Sequence, residues 1–337
     1  MAPTKEIPKK YKAAIYEKPG TNSTKVVEMD TPEPSTDEVL IRLTHSGVCH
    51  SDLAMMCGRW SGLPPIKPGS VGGHEGVGVV EKLGPGNEHS PVKIGDRVGI
   101  NWIRGICMSC EACLSGIEPS CANKTMIGYF TPGTFQQYVV SPSNYVTPIP
   151  DGLSSDQAAP MLCAGLIGYA ALRKTGAKSG EWVAIIGAGG GLGHIGVQLG
   201  SKGMAYRLIG IDHGSKKDLV IESGAEAFVD FTQFDDAGIV AEVQRITGAY
   251  AQALAVLGRG GTLVCVGIPE GEPQVLAGAS PGASIGRGIN ITSAVVGTRK
   301  DAIEVLDFAR SGVVHLTQVF EDLSKGNLQG RVVLDLE

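Results

Sequence analysis

Between residues 34 and 150 the apolar positions come in short runs, EVLIRL (38–43), GVGVVEKL (76–83) and GDRVGI (95–100), each bounded by turn residues. Runs of that length, rich in Val and Ile, predict the strands of a compact, mostly antiparallel β domain. From about Ser154 the period changes. Gln157 to Lys174 reads as a helix, WVAIIG (182–187) as a strand, GHIGVQLGSKG as a second helix and YRLIGID (206–212) as a second strand. Strand, glycine turn, helix, strand is a βαβ unit that opens a parallel doubly wound sheet. AEVQRI, AYAQALAVL and GTLVCVGI continue the alternation. The 337 residues therefore predict an α/β chain of two domains.

Charge narrows the partners. Lys and Arg number 29 against 34 Asp and Glu, a net charge of −5, which argues against a nucleic-acid coat or an anionic membrane surface. The apolar runs fall far short of the roughly 18 to 20 residues of a membrane helix, so a soluble protein without a membrane or nucleic-acid partner is expected. The opening MAPTKEIPKK has no apolar signal region, which makes the cytosol the expected address. Glycine, at 48 residues, falls in short clusters rather than a G-x-y period, the pattern of turns that approach a ligand closely. Eight cysteines in a cytosolic chain point to metal ligation before disulfides.

Cys107, Cys110, Cys113 and Cys121 form C-x2-C-x2-C-x7-C, a spacing that wraps four thiolates around one tetrahedral ion. Such a closed set has no vacancy for substrate, so it reads as a structural zinc lobe. A second, dispersed set lies in GVCHSD (47–52), GGHEGVG (72–78) and CAG (163–165). Cys49, His74 and Cys163 make a Cys2His set with a fourth position open, as catalytic zinc requires. After WVAII comes the run Gly187 to Gly196, in which Gly191, Gly193 and Gly196 satisfy G-x-G-x-x-G. Gly187, Gly190, Gly191 and Gly193 are the candidate cofactor-binding glycines, the turn that sets a pyrophosphate on a helix N-terminus. Asp212 ends the next strand, where a carboxylate accepts from ribose hydroxyls and repels a 2′-phosphate, favouring NAD(H) over NADP(H). His213, Lys216 and Lys217 follow at once and make that preference modest. Cys57 and Cys265 belong to neither set and read as packing residues.

With these motifs, and with GTFQQY (133–138) and GRVVLDL (330–336), the chain resembles the zinc-dependent medium-chain alcohol dehydrogenases of the yeast type, from about residue 10 to the end. The resemblance implies a GroES-like, β-rich catalytic domain with a structural zinc lobe over residues 1–158. A Rossmann NAD-binding domain follows over 159–298, and a C-terminal segment over 299–337 completes the catalytic domain. It implies two zinc ions per chain, held by Cys49, His74 and Cys163 and by the four lobe cysteines, with Glu75 and Asp52 as carboxylates that orient the ligands. Ser51 then takes the proton of the alcohol, His50, Lys217 and Arg331 contact the cofactor, and the enzyme is a homo-oligomer, a dimer or a tetramer. The reaction implied is hydride transfer between NAD(H) and a small alcohol, aldehyde or ketone, in specialised metabolism where the pocket departs from the small-alcohol form.

Several positions depart from that family. Ala54 stands where the proton relay ends in a histidine, Ile167 where a threonine meets the nicotinamide, and Met56 where a bulky aromatic lines the pocket, which predicts a wider pocket. Family members also carry roughly 20 residues where Gly248 here runs straight into Ala249, including a central strand whose loss leaves two strands without a ladder partner. A shorter shortfall follows His315. The competing reading is a catalytically impaired paralogue that keeps the zinc-bound fold for binding or assembly.

Overall fold

The computed structural model of the protein describes residues 6–60, 63–247, 257, 259–266, 281–314 and 332–336. The chain divides into two compact units. One runs up to Cys163 and is rejoined by Thr298–Asp307 and the last strand; the other runs from Ala164 to Gly297 and takes up the chain again at Phe308.

In the first unit β1 (Lys10–Lys18) and β2 (Ser23–Asp30) form an antiparallel hairpin, and β3 (Glu38–Val48) leads into the short helix α1 (His50–Met56). Then come β4 (Gly76–Leu83), β5 (Arg97–Ile100), β6 (Ile103–Gly105), α2 (Glu111–Leu114), β7 (Thr125–Met126), β8 (Tyr138–Pro142), β9 (Thr147–Pro148) and α3 (Ser155–Pro160). β3 is the spine of a six-stranded antiparallel sheet, paired with β4 along one edge and with β8 and the C-terminal strand Val332–Asp335 along the other. Its side chains alternate between two cores, as a strand's period of two requires. Val39, Ile41 and Leu43 join Val80, Val98, Ile100 and Val139, while Leu40 faces Tyr11, Ala13, Val71 and Tyr138. The strand outruns the apolar run EVLIRL because its polar end is paired: Ser46 meets Gly76 and Leu334, and its hydroxyl lies 2.7 Å from that of Thr134.

The helix expected from Gln157 to Lys174 is interrupted. α3 ends at Pro160, Met161–Gly165 form a wide π turn, and α4 (Leu166–Lys174) resumes the helix. Proline removes a backbone donor and crowds the preceding turn, so regular helix cannot run through it. The widened turn carries Cys163.

The second unit continues with β10 (Trp182–Ile186), α5 (Gly193–Gln198), β11 (Arg207–Asp212), α6 (Lys217–Ser223), β12 (Ala227–Asp230) and α7 (Asp236–Thr247). β13 (Thr262–Cys265), α8 (Pro281–Arg287), β14 (Asn290–Ser293) and α9 (Arg299–Arg310) follow, and the C-terminal strand is β15. β10, β11 and β12 pair in parallel and carry apolar clusters on both faces, with Leu208 on one and Ile209 and Ile211 on the other. Buried faces on both sides of a parallel sheet are the mark of a doubly wound fold. The sheet is split, however: β13 and β14 pair only with each other, and among the described residues no strand lies on the free edge of β10 or of β13. The division falls where the sequence lacks its central strand, and Ile186, which a continuous sheet would cover, is 78 % exposed. The helix expected at AYAQALAVL lies outside the described residues. No helix among them is long and apolar enough to cross a membrane.

The split has a direct stability test. Ile186→Thr is expected to change unfolding free energy by less than about 0.5 kcal/mol, as exposed substitutions do. Leu208→Ala, in the fully buried position of the neighbouring strand, should cost about 2–5 kcal/mol. Urea unfolding followed by fluorescence measures both.

Candidate functional site

Four donor residues meet in the first unit. Cys49 caps α1 in an extended conformation, its backbone N–H donating to Asp52 Oδ2 at 2.9 Å, so the motif GVCHSD is a strand end, a cap and a first helical turn. His74 and Glu75 immediately precede β4, and Cys163 sits in the π turn. The sulfurs of Cys49 and Cys163 are 3.9 Å apart, and His74 Nε2 is 3.3 Å from the Cys163 sulfur. One donor atom from each of Cys49, His74, Glu75 and Cys163 lies within 4.8 Å of all the others. A tetrahedron with Zn–S bonds of about 2.3 Å has S···S edges of about 3.8 Å, so the donor set has the size of a zinc site.

The ring of His74 is held for that role. Its Nδ1–H donates to Asp52 Oδ1 at 2.8 Å, and Nε2 faces the Cys163 sulfur. Burial opposes a charge on the ring, but the Asp52 carboxylate and the Cys49 sulfur overcome it and hold the pKa of His74 well above the usual histidine value. Glu75 is fully buried with Oε1 3.9 Å from His74 Nε2. Its carboxylate fits against Gly47, where a Cβ would overlap it.

The four lobe cysteines also converge. Sulfur separations are 4.0 Å for Cys107 and Cys113, 3.5 Å for Cys110 and Cys113, and 3.6 Å for Cys107 and Cys121. Backbone N–H groups of Ser109 and Cys110 lower the pKa of the Cys107 thiol, while burial and its hydrogen-bonded neighbours raise that of Cys113. Cys57 and Cys265 join neither group.

In the second unit the glycine run forms the turn between β10 and α5. Gly187 has φ +72°, a conformation open to glycine, and Gly193 packs against the Gly187 carbonyl with no room for a side chain. The turn at the strand end is made by Gly187 and Gly193, while Gly196 lies inside α5 beside Ile185 of β10. Gly190 donates back to Gly187 and accepts from His194. Asp212 ends β11 with Oδ2 accepting from Gly189 N–H at 2.8 Å and Oδ1 from its neighbour His213 at 2.7 Å. The lysine paired with it is Lys216, at 3.8 Å, whereas Lys217 is exposed and opens α6. His50 and Ser51 form the first turn of α1, His50 exposed and Ser51 half-buried. Arg331 lies outside the described residues.

Two aromatic residues that sequence reasoning passed over stand beside the donors. The Trp102 ring packs edge-on to His74 with centroids 5.0 Å apart, and Trp60 packs on Trp102 at 6.3 Å. Trp60 also lines a cavity of about 230 Å³ with Ala54, Met55, Leu63 and Tyr129. Met56 does not line that cavity and packs with Tyr16 and Ile66. Trp102 follows the run GDRVGI by two residues, and an aromatic at a strand end near a candidate ligand was the available signal.

Comparison with known proteins agrees with this geometry. Residues 35–151 match the model of the alcohol dehydrogenase GroES-like domain. Alcohol dehydrogenase 2 of Emericella nidulans is 53 % identical over 362 aligned positions, covering 98 % of this chain and 99 % of that protein. An alcohol dehydrogenase of Geobacillus stearothermophilus is 39 % identical over 97 % of this chain and its own full length. The Emericella alignment is longer than this chain, so that relative carries residues with no counterpart here. Among solved structures, a thermostable alcohol dehydrogenase from Pyrobaculum aerophilum superposes with a TM-score of 0.81 at 26 % identity, covering 97 % of this chain and 99 % of that one. Acetophenone reductase from Geotrichum candidum, solved in complex with NAD, gives 0.78 at 27 % identity, covering 98 % of each chain. An identity of 53 % over nearly the whole length, together with the shared fold and a cysteine–histidine donor set of zinc dimensions, makes this chain a member of the zinc-dependent medium-chain alcohol dehydrogenase family.

Proposed function

We propose that this alcohol dehydrogenase holds two zinc ions, catalytic at Cys49, His74 and Cys163 and structural at Cys107, Cys110, Cys113 and Cys121. On this reading it uses NAD(H) in preference to NADP(H) and acts on a small alcohol or carbonyl compound in the cytosol. The single observation that carries the reading is the meeting of Cys49, His74 and Cys163 at metal-ligand spacing, from three separate stretches of chain. Zinc bound there supplies Lewis-acid polarisation of the substrate oxygen, and NAD(H) supplies or accepts the hydride.

The chain's own groups do the rest. Asp52 fixes the tautomer of His74 and, through the Cys49 N–H, the start of α1. Glu75 sets a fully buried carboxyl group beside the donors. Because a ligand must shed its proton, the raised pKa of His74 makes metal uptake weaken as pH falls. Ser51 Oγ relays the substrate hydroxyl proton, accepting it as its own proton passes to hydroxide from solvent. The turn from Gly187 to Gly193 and the carboxylate of Asp212 are the proposed contacts to pyrophosphate and ribose, with His50, Lys217 and Arg331 as further cofactor contacts. A homo-oligomer is supported by exposed Ile285, Ile291 and Val295 on and beside α8 and β14. The domain division proposed is a catalytic domain over 1–158 and 299–337 around a cofactor domain over 159–298. The impaired-paralogue alternative finds no support, since both donor sets are present and the relatives are alcohol dehydrogenases.

Three measurements test the reading. Cys49→Ser should abolish turnover and remove one of two zinc equivalents while the lobe stays loaded; near wild-type activity in that variant would reject the assignment. For the cofactor, kcat/KM with NADH should exceed that with NADPH, and Asp212→Ala should cut the ratio roughly ten-fold, the scale of one charged hydrogen bond. The preference stays moderate because Lys216 partly neutralises Asp212, and a wild-type preference for NADPH would refute it. Finally, Ala54 is buried on the cavity wall, with no base to pass the proton onward. Alcohol oxidation should be slow near pH 7 and rise with hydroxide, and Ala54→His should raise it about ten-fold or more at pH 7. An unchanged rate with zinc and cofactor bound means that the proton leaves elsewhere.

A further inference from the structure

The cysteine lobe is tied to a helix that enters the first unit some 180 residues later in the chain. Arg299, the first residue of α9, donates to Glu118 Oε1 from Nη2 at 2.9 Å and from Nε at 3.3 Å, and its backbone N–H lies 3.5 Å from Oε2. Its Nη1 donates to the Asn144 carbonyl at 3.2 Å, and the guanidinium lies over the Tyr145 ring, 4.9 Å from the centroid. The Tyr145 hydroxyl in turn donates to Glu118 Oε2 at 3.3 Å. Thr298 and Asp301 fix the start of the helix: the Asp301 carboxylate accepts from the Thr298 N–H and hydroxyl at 2.8 and 2.9 Å.

Glu118 is not a bystander of the metal site. Its backbone carbonyl accepts from the Cys121 N–H at 3.0 Å, closing the short turn that delivers the fourth sulfur. A clamp on the Glu118 side chain therefore acts on the turn that presents Cys121. An exposed ion pair contributes little, but this one is forked, stacked on an aromatic ring and partly covered, with side-chain exposures of 35 % for Arg299 and 16 % for Glu118. Arginine has the geometry for such a contact, since its planar fork binds carboxylate and ring face together.

We propose that Arg299 is a positioning residue for the metal of the lobe: through Glu118 it holds the Cys121 turn in ligating geometry and slows release of the ion. Its charge works in the same direction, since four thiolates around a divalent cation leave two net negative charges. The proposal rests on the reading that the lobe holds zinc.

The test uses purified holoenzyme of wild type, Arg299→Gln, Arg299→Lys and Glu118→Gln. Zinc content is measured first, then the time course of release to a colorimetric chelator, with Cys110→Ser identifying the phase that belongs to the lobe. Two zinc per wild-type chain are expected. The lobe phase should be about ten-fold faster or more in Arg299→Gln, the scale on which loss of an outer partner weakens a metal site. It should also be faster in Glu118→Gln and intermediate in Arg299→Lys, with the other phase unchanged. If Glu118→Gln is slower while Arg299→Gln is faster, charge alone acts and the positioning role is overturned. Unchanged release in Arg299→Gln, or equal acceleration of both phases, also overturns it. A single zinc per wild-type chain overturns the reading of the lobe itself, and the role of Arg299 with it.

Discussion

Water is nearly excluded from the volume shared by Asp52, His74 and Glu75, which are 3 %, 1 % and 0 % exposed. An ion placed there costs several kcal/mol unless each charged atom has a partner. Asp52 meets the condition with one oxygen on the His74 ring and the other on the Cys49 backbone, and these two bonds tie α1 to the loop before β4. Much of the first unit serves that arrangement: β3 and β4 run side by side so that Gly47 and Glu75 are neighbours, and the backbone at Gly47 leaves room for the carboxylate. A substitution far from any donor sulfur can therefore disturb the site by moving a strand.

The motifs legible in the sequence are those whose meaning is local. Four cysteines within fifteen residues declare a shared ion because a short loop has few other ways to use them. The βαβ pattern was equally plain, since strand, glycine turn and helix follow one another directly. The reach of β3 through THSGV was not legible, because its polar residues are buried by pairing with β4 and with β15, which lies almost 290 residues away. Spacing along α1 locates a residue on the helix but not the face that the rest of the fold turns toward the cavity, which Met55 lines.

The aromatic wall shows the same limit from the other side. The strand-end position of Trp102 hinted at a site, but its edge-on contact with His74 arises because β5 and the loop before β4 end together. The glycine run was ambiguous because it contains more glycines than the turn needs. At the strand end after Ile186 the chain turns left-handed, and the residue that does so is Gly187.

The divided sheet of the second unit has a consequence for handling the protein in solution. β10 and β13 each present a row of main-chain donors and acceptors on an edge that no described strand covers, with the large apolar side chain of Ile186 at the end of one. Such edges are templates for pairing with another chain. That edge of β10 runs directly into Gly187, so a ligand seated on the glycine turn would stiffen the end of that strand and stabilise the unit by mass action. Keeping the protein saturated with dinucleotide then becomes a safeguard against self-association during storage and refolding.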